Sequence, residues 1–159
     1  MRPRASGQRD HRFDVRSLLG HAVRVESARL DDGAVIVELS SRGVGHRFPT
    51  GDLFRRLTVT LTALTNDGAI VGGETFHLNR DWDEHRASLR GRRAERFDGD
   101  TRLSDVPRAF RVAFAQTPAR AHVTVEYARG ASADGDFFEA FERLEILDAD
   151  VALTGAPSP

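Results

Sequence analysis

The histidines are the main chemical resource of this sequence, because a neutral imidazole is a good metal ligand. The six are His11, His21, His46, His77, His85 and His122. No two have the i, i+4 spacing that places two zinc ligands on one face of a helix, so no local zinc site is predicted, while a site assembled through space stays open. The four histidines other than His11 and His46 are interpreted as ordinary strand or surface residues. His11 and His46 are therefore the candidate ligands.

His46 lies in a corner of unusual composition, the segment RGVGHRFPTGD at residues 42–52. Gly43 and Gly45 allow backbone conformations that other residues avoid, and Pro49 favours an extended residue before it. Such a loop holds the imidazole in one direction. An axial metal ligand needs this, and so does a buried histidine that only makes hydrogen bonds. Both interpretations stay open, and in either case we expect the corner to pack around His46, so that His46→Ala destabilises the fold.

Other kinds of chemistry find little support. The chain has no cysteine, which excludes disulfides, thiolate zinc sites, cysteine nucleophiles and covalent attachment of c-type haem by this chain. No GxSxG elbow is present. Carboxylates cluster at residues 81–84 and 98–100, and we interpret both clusters as solvated loop charge. The two DGD triplets do not continue into the spacing of a calcium loop.

The composition is that of a soluble globular domain. The 159 residues are 40% hydrophobic and 30% charged, and the formal net charge of −1 argues against a dedicated nucleic-acid binder. No apolar run approaches the roughly 20 residues of a membrane-spanning helix. The first 13 residues lack the apolar stretch of a secretory signal.

Alternation of apolar and polar residues predicts strands over most of the chain. The segments are 22–30, 34–40, 55–64, 69–78, 108–116 and 120–129, with 137–147 open between strand and helix. The triplets DDG and NDG mark two hairpin turns, and Gly72-Gly73 indicates a bulge or a close backbone approach. Residues 79–102 are predicted as a long excursion with a short helix around 83–90, and residues 15–20 as a short helical turn.

This pattern predicts an all-β protein, an immunoglobulin-like β-sandwich of about seven strands with an extended N-terminal arm. We assign residues 1–20 to the arm, 21–153 to the sandwich and 154–159 to a disordered tail. Because the arm lies outside the predicted core, we expect His11→Ala to leave folding nearly unchanged.

Three segments carry a resemblance to a known family. Residues 45–57, GHRFPTGDLFRRL, resemble the GH-x-x-PTG segment in the C-terminal β-domain of certain bacterial multihaem c-type cytochromes, relatives of tetrahaem and octahaem electron carriers. Residues 1–13, MRPRASGQRDHRF, look like the sequence that follows a Cys-x-x-Cys-His haem site there and leads to a D-H-R-F element. Residues 100–114, DTRLSDVPRAFRVAF, resemble a later strand region. The resemblance covers residues 1 to about 128.

The resemblance implies a periplasmic, non-catalytic domain that packs against a haem-bearing domain or partner in electron transfer. The haem c is held by that partner or by an upstream segment that this sequence lacks. His11, in the D-H-R-F element, is the first candidate for an axial ligand of the iron. His46 is the second, or it braces the β-domain against the haem domain. Arg55 and Arg56 can pair with a carboxylate or with a haem propionate.

Two other classes of function stay in view. One is a stand-alone immunoglobulin-like binding module with no role at a haem, because fold alone does not fix function. The other is an enzyme with a histidine-based metal site, which the sequence supports least. No nucleic acid and no membrane span are predicted in any of these readings.

Overall fold

The computed structural model describes residues 19–44, 46–49, 54–87, 93–134 and 137–155, with the backbone alone described for residues 81–87, 93–99, 131–134 and 137. Nine strands run through this part of the chain. In chain order they are β1 (Val23–Asp31), β2 (Ala34–Ser41), β3 (Arg55–Leu64), β4 (Ile70–Leu78), β5 (Arg80–Ala87), β6 (Arg93–Asp100), β7 (Arg108–Ala113), β8 (Arg120–Asp134) and β9 (Phe137–Ala152). No helix among the described residues is long and apolar enough to cross a membrane.

Seven of these strands form two antiparallel sheets that pack as a sandwich. The smaller sheet has the order β1-β2-β7 and the larger has the order β4-β3-β8-β9, while β5 and β6 pair only with each other. The chain passes from the smaller sheet to the larger between β2 and β3, through the loop that carries His46. The predicted immunoglobulin-like sandwich of about seven strands is confirmed.

Alternation along the central strands builds the core between the sheets. In β3, Leu57, Val59 and Leu61 are at most 1% exposed, whereas the threonines between them are half-buried on the outer face. Val35 and Val37 of β2 are fully buried on the opposite sheet. Burial of each such side chain contributes roughly 1.5–3 kcal/mol relative to an exposed one. The period of two read from the sequence therefore identifies the inward face correctly.

The short helix predicted within residues 79–102 is wrong. Residues 83–87 belong to β5, so the short helix predicted from residue 83 does not form there, and β5 and β6 make a two-stranded hairpin. This hairpin adds to neither main sheet, so its charged sequence need not show the apolar alternation that marks a core strand. Residues 137–147, whose sequence fits either a strand or a helix, are strand because they pair with residues 125–134 of β8.

The two predicted chain ends are only partly described. Leu19, placed in the arm, is 7% exposed and packs in the core, and residues 1–18 lie outside the described residues. Thr154, placed in the tail, bridges to Arg29 of β1, and its amide donates to the carbonyl of Ala28 at 3.0 Å. Residues 156–159 lie outside the described residues as well. Most of the predicted helical turn at 15–20 is likewise outside them.

At Gly72 the backbone of β4, in the larger sheet, lies directly against the end of β7, in the smaller sheet. The amide of Ala115 donates to the carbonyl of Val71 at 2.9 Å, and a Cβ on Gly72 would overlap the carbonyl oxygen of Ala113. The register of β3 with β4 also shifts beside Gly72. Both features predicted for the Gly72-Gly73 pair, a bulge and a close backbone approach, are confirmed.

A matched pair of substitutions tests the close backbone contact at Gly72. We expect Gly72→Ala to lower the free energy of unfolding by about 1 kcal/mol or more, because β4 and β7 must separate to admit the methyl group. Gly73→Ala is the control, since its Cβ would meet only the carbonyl oxygen of Leu61, at an ordinary 3.6 Å, and it should change stability by less than about 0.5 kcal/mol. Urea denaturation measures both. Equal effects would contradict the close approach.

Candidate functional site

The His46 loop is fixed at one end of the sandwich by backbone hydrogen bonds to the segment 101–107. Phe48 and Leu103 exchange both of their amide bonds, at 2.7 and 2.8 Å, and form an isolated antiparallel bridge. Nearer to β2, the amide of Ser41 donates to the carbonyl of Ser104 at 2.7 Å. Two segments that are distant in sequence are therefore held side by side where β2 ends and β7 begins.

Phe48, rather than His46, is the residue around which the corner packs. Phe48 is 2% exposed and its ring stacks on that of Tyr127 at a centroid distance of 6.0 Å. Pro49 is also buried, and the Phe48–Pro49 peptide bond is cis. His46 is exposed. The expectation that the loop packs around the imidazole is therefore wrong, because the apolar ring two residues later fills that space.

The exposed imidazole lies at a cleft between the two segments. The cleft has a volume of about 540 Å³. Its described lining residues are Ser41, Gly43, Val44, His46, Arg47, Ser104, Asp105 and Val106. Gly43 has a φ of 71°, in the left-handed region that glycine adopts at no steric cost, so it turns the chain out of β2 toward His46. The cleft thus combines one imidazole, one guanidinium, one carboxylate and exposed apolar surface at Val106.

Asp100 joins the two walls of this cleft through two arginines. Its carboxylate accepts from Arg102 in a bidentate arrangement, with Nε and Nη2 each 2.8 Å from one oxygen. Nη1 of Arg47 lies 3.0 Å from the Oδ2 atom of the same carboxylate. Asp100 and Arg102 are 17% and 13% exposed, whereas Arg47 is 55% exposed. We call these three residues the Asp100 triad.

The triad holds a fixed charge. The side-chain hydrogen bonds from Arg102 have the largest effect and lower the pKa of Asp100, and burial, the next largest effect, raises it. The backbone amide of Arg102 and the charges of Arg102 and Arg47 lower it further, so that the pKa falls from 3.8 to about 2. Asp100 is therefore ionised at every physiological pH. One carboxylate balances one of the two guanidinium charges, so the triad keeps a net charge of +1, and the exposed member, Arg47, carries it at the cleft.

Only some of the predicted site residues lie at the cleft. His46 lines the cleft, and His11 lies outside the described residues. Arg55 and Arg56 begin β3 at the same end of the sandwich but are not among the described residues that line the cleft. Arg56 is 8% exposed, with its guanidinium carbon 4.4 Å from the centroid of the Phe138 ring. Pairing of these two arginines with a haem propionate stays a prediction.

Two of the other histidines make ordinary contacts on the sandwich surface. The Nδ1 atom of His77 is 3.3 Å from the hydroxyl of Thr58, and that of His122 is 2.9 Å from the carboxylate of Asp150, both on the outer face of the larger sheet. Among the described residues, no three histidine, aspartate or glutamate side chains are placed to hold a metal ion together. A metal bound by His46 would therefore need its other ligands from elsewhere.

Sequence reasoning missed the Asp100 triad. The DGD triplet at residues 98–100 was interpreted as solvated charge, but Asp100 is largely buried. The spacing Asp100-x-Arg102 is a local signal for the bidentate half of the triad. Nothing in the sequence points to Arg47, whose position depends on the bridge between Phe48 and Leu103.

The fold is similar to that of part of a multihaem cytochrome. A solved structure of a penta-haem cytochrome c552 from Thermochromatium tepidum matches with a TM-score of 0.59 and 16% sequence identity. The match covers 87% of this chain and 41% of the cytochrome chain. No protein-family model and no curated protein matches the chain. The comparison shows a shared fold, and this chain spans less than half the length of the cytochrome.

Proposed function

We propose that this domain is a non-catalytic β-sandwich of a multihaem cytochrome c electron-transfer system, and that the end carrying the His46 cleft packs against the haem-bearing part. The fold similarity to the penta-haem cytochrome over 87% of this chain is the observation that carries the proposal. An extracytoplasmic location belongs to the same proposal, because it follows from the type of cytochrome that the chain resembles.

The surface at this end is suited to a protein contact. Val106 at the cleft is 68% exposed, and Phe54 beside the start of β3 is 40% exposed. Past Arg129, which pairs with the first residue of β3, the β8–β9 ribbon continues beyond the sheet and carries Phe141, 63% exposed. Three of the four exposed large apolar side chains among the described residues thus lie at this end, and Ile70 lies at the other. Exposed apolar groups mixed with arginines are typical of an interface.

The residues present fit a haem that another polypeptide segment holds. Without cysteine this chain attaches no haem c covalently, but an axial bond needs only one accessible imidazole. His46 offers one on a loop that its buried neighbour Phe48 anchors. His46 is therefore proposed to ligate the iron, or to brace the interface, and His11 remains a proposed ligand on the strength of its D-H-R-F element. When bound, the haem would supply the one-electron chemistry.

The experiment that tests this function uses the native protein. The polypeptide is isolated from its own cells, its intact mass is measured, and the same band is stained for haem, together with a native gel of the undissociated material. A haem-positive polypeptide or complex is expected. A haem-negative species that runs alone on both gels would contradict the proposal and favour the stand-alone binding module.

A further inference from the structure

We propose that the His46 cleft binds a carboxylate group through Arg47, and that in the assembly this group is a haem propionate. The second half of this inference rests on the proposed function, whereas the first half concerns this chain alone. Neither arginine predicted for the propionate, Arg55 or Arg56, is needed for this site.

The local charge balance favours an anion. The charged side chains of residues 46–49 and 100–108 are Arg47, Arg102, Arg108, Asp100 and Asp105, which sum to three positive and two negative charges, or +1. Asp100 and Arg102 satisfy each other in a bidentate pair. Arg108 donates to the backbone carbonyl of Thr101, which directs it toward its own segment. Arg47 is therefore the cation that faces the cleft, and the carboxylate of Asp105, which also lines the cleft, offsets part of its charge.

Arg47 is placed and held in the manner that binding requires. Its contact with Asp100 through Nη1 fixes the guanidinium at the cleft, and the side chain is still 55% exposed. A guanidinium has five N–H donors in a planar fork that matches the two oxygens of a carboxylate. Because Asp100 orients the guanidinium in advance, less side-chain entropy is lost when a ligand binds. Asp100 is thus a positioning residue for Arg47.

The cleft also indicates which kind of carboxylate it takes. Val44 and Val106 contribute apolar surface, and His46 precedes Arg47 directly in sequence. A ligand that is flat, largely apolar and carries a carboxylate at its edge would use all three kinds of group. An iron porphyrin with free propionates has this chemistry, and a small free dicarboxylate shares only the carboxylate.

The test is a titration of the purified protein with three probes. These are iron protoporphyrin IX, its dimethyl ester, in which both propionates are neutral, and succinate. We expect the diacid to bind about tenfold more tightly than the diester, and Arg47→Gln to abolish that preference. Arg143→Gln is the matched control, because Arg143 is 59% exposed and is likewise paired with one carboxylate, that of Glu126, on the outer sheet face. It should leave the preference intact.

A second variant is expected to tighten binding, an effect that a loss of folded protein cannot produce. Asp105→Asn removes a negative charge from the cleft and should tighten binding of the diacid about twofold without affecting the diester. Equal affinity for diacid and diester, together with no binding of succinate, would overturn the proposal. Binding of succinate that depends on Arg47, without a preference for the diacid, would support the carboxylate site and overturn the assignment to a propionate.

Two different measurements test this inference and the proposed function separately. The iron–imidazole bond appears as a change in the Soret spectrum that His46→Ala should remove with either porphyrin. The preference for the diacid, by contrast, depends on Arg47. A haem-positive native protein whose cleft ignores carboxylates would refute this inference and leave the proposed function standing.

Discussion

Replacing Phe48 with alanine is expected to lower the free energy of unfolding by about 3–5 kcal/mol. The ring is 2% exposed and stacks on Tyr127, which is itself 4% exposed, so truncation leaves a cavity between the loop and the larger sheet. The Phe48 backbone also bridges to Leu103. Loosening of the ring should therefore release both walls of the cleft together. Urea or thermal denaturation measures the loss of stability.

The control for this prediction is the neighbouring His46→Ala variant. Because the imidazole is exposed, we expect it to change the free energy of unfolding by less than about 0.5 kcal/mol. This is the opposite of the expectation that the sequence suggested. A loss of unfolding free energy as large as that of Phe48→Ala would show that the loop depends on the imidazole. His46 would then be a structural residue rather than an exposed candidate ligand.

The contrast between these two residues shows how far the sequence can predict the site. Two glycines and a proline around a histidine indicate a fixed corner, and the corner exists. Which side chain it buries depends on how the chain turns between β2 and β3 and on the presence of Tyr127 to receive a ring. Both are tertiary facts, so composition of the loop cannot choose between His46 and Phe48.

Dependence on tertiary contacts also explains which strands the sequence predicts and which it does not. The bounds predicted for β3 are those observed, because it lies between β4 and β8 and one of its faces is wholly buried, so alternation of apolar residues marks its whole length. The β5–β6 hairpin pairs with no other strand, so nothing requires alternation there. The sequence predicts that β8 ends at residue 129, which is where its pairing with β3 ends. The strand continues to Asp134 because its pairing with β9 continues that far.

Replacing Asp100 with asparagine is expected to destabilise the protein by about 2 kcal/mol at neutral pH. Hydrogen bonds to charged groups contribute about 1.5–3 kcal/mol each, and partial exposure reduces what the ion pairs add. The variant keeps the size of the side chain but leaves two adjacent guanidinium groups without their shared counter-ion. Denaturation at pH 7 measures the effect. A change below 0.5 kcal/mol, the range of an ordinary surface substitution, would contradict the role of the triad as the clamp between the cleft walls.

The pH dependence of this difference provides the sharper test, because its sign follows from the pKa. The folded protein holds the pKa of Asp100 at about 2, below its ordinary value of 3.8, so above about pH 5 the folded and unfolded states both carry the charge and the stabilisation is complete. Between about pH 5 and pH 2 the unfolded state takes up the proton first, and stability falls. The wild-type advantage over Asp100→Asn should therefore be constant from pH 7 to about pH 5 and shrink steadily toward pH 2. Other carboxylates with a lowered pKa, such as Glu38, titrate in both proteins and cancel in the difference. An advantage that persists unchanged at pH 2 would mean that packing, rather than the charge shared with Arg47 and Arg102, is what Asp100 contributes.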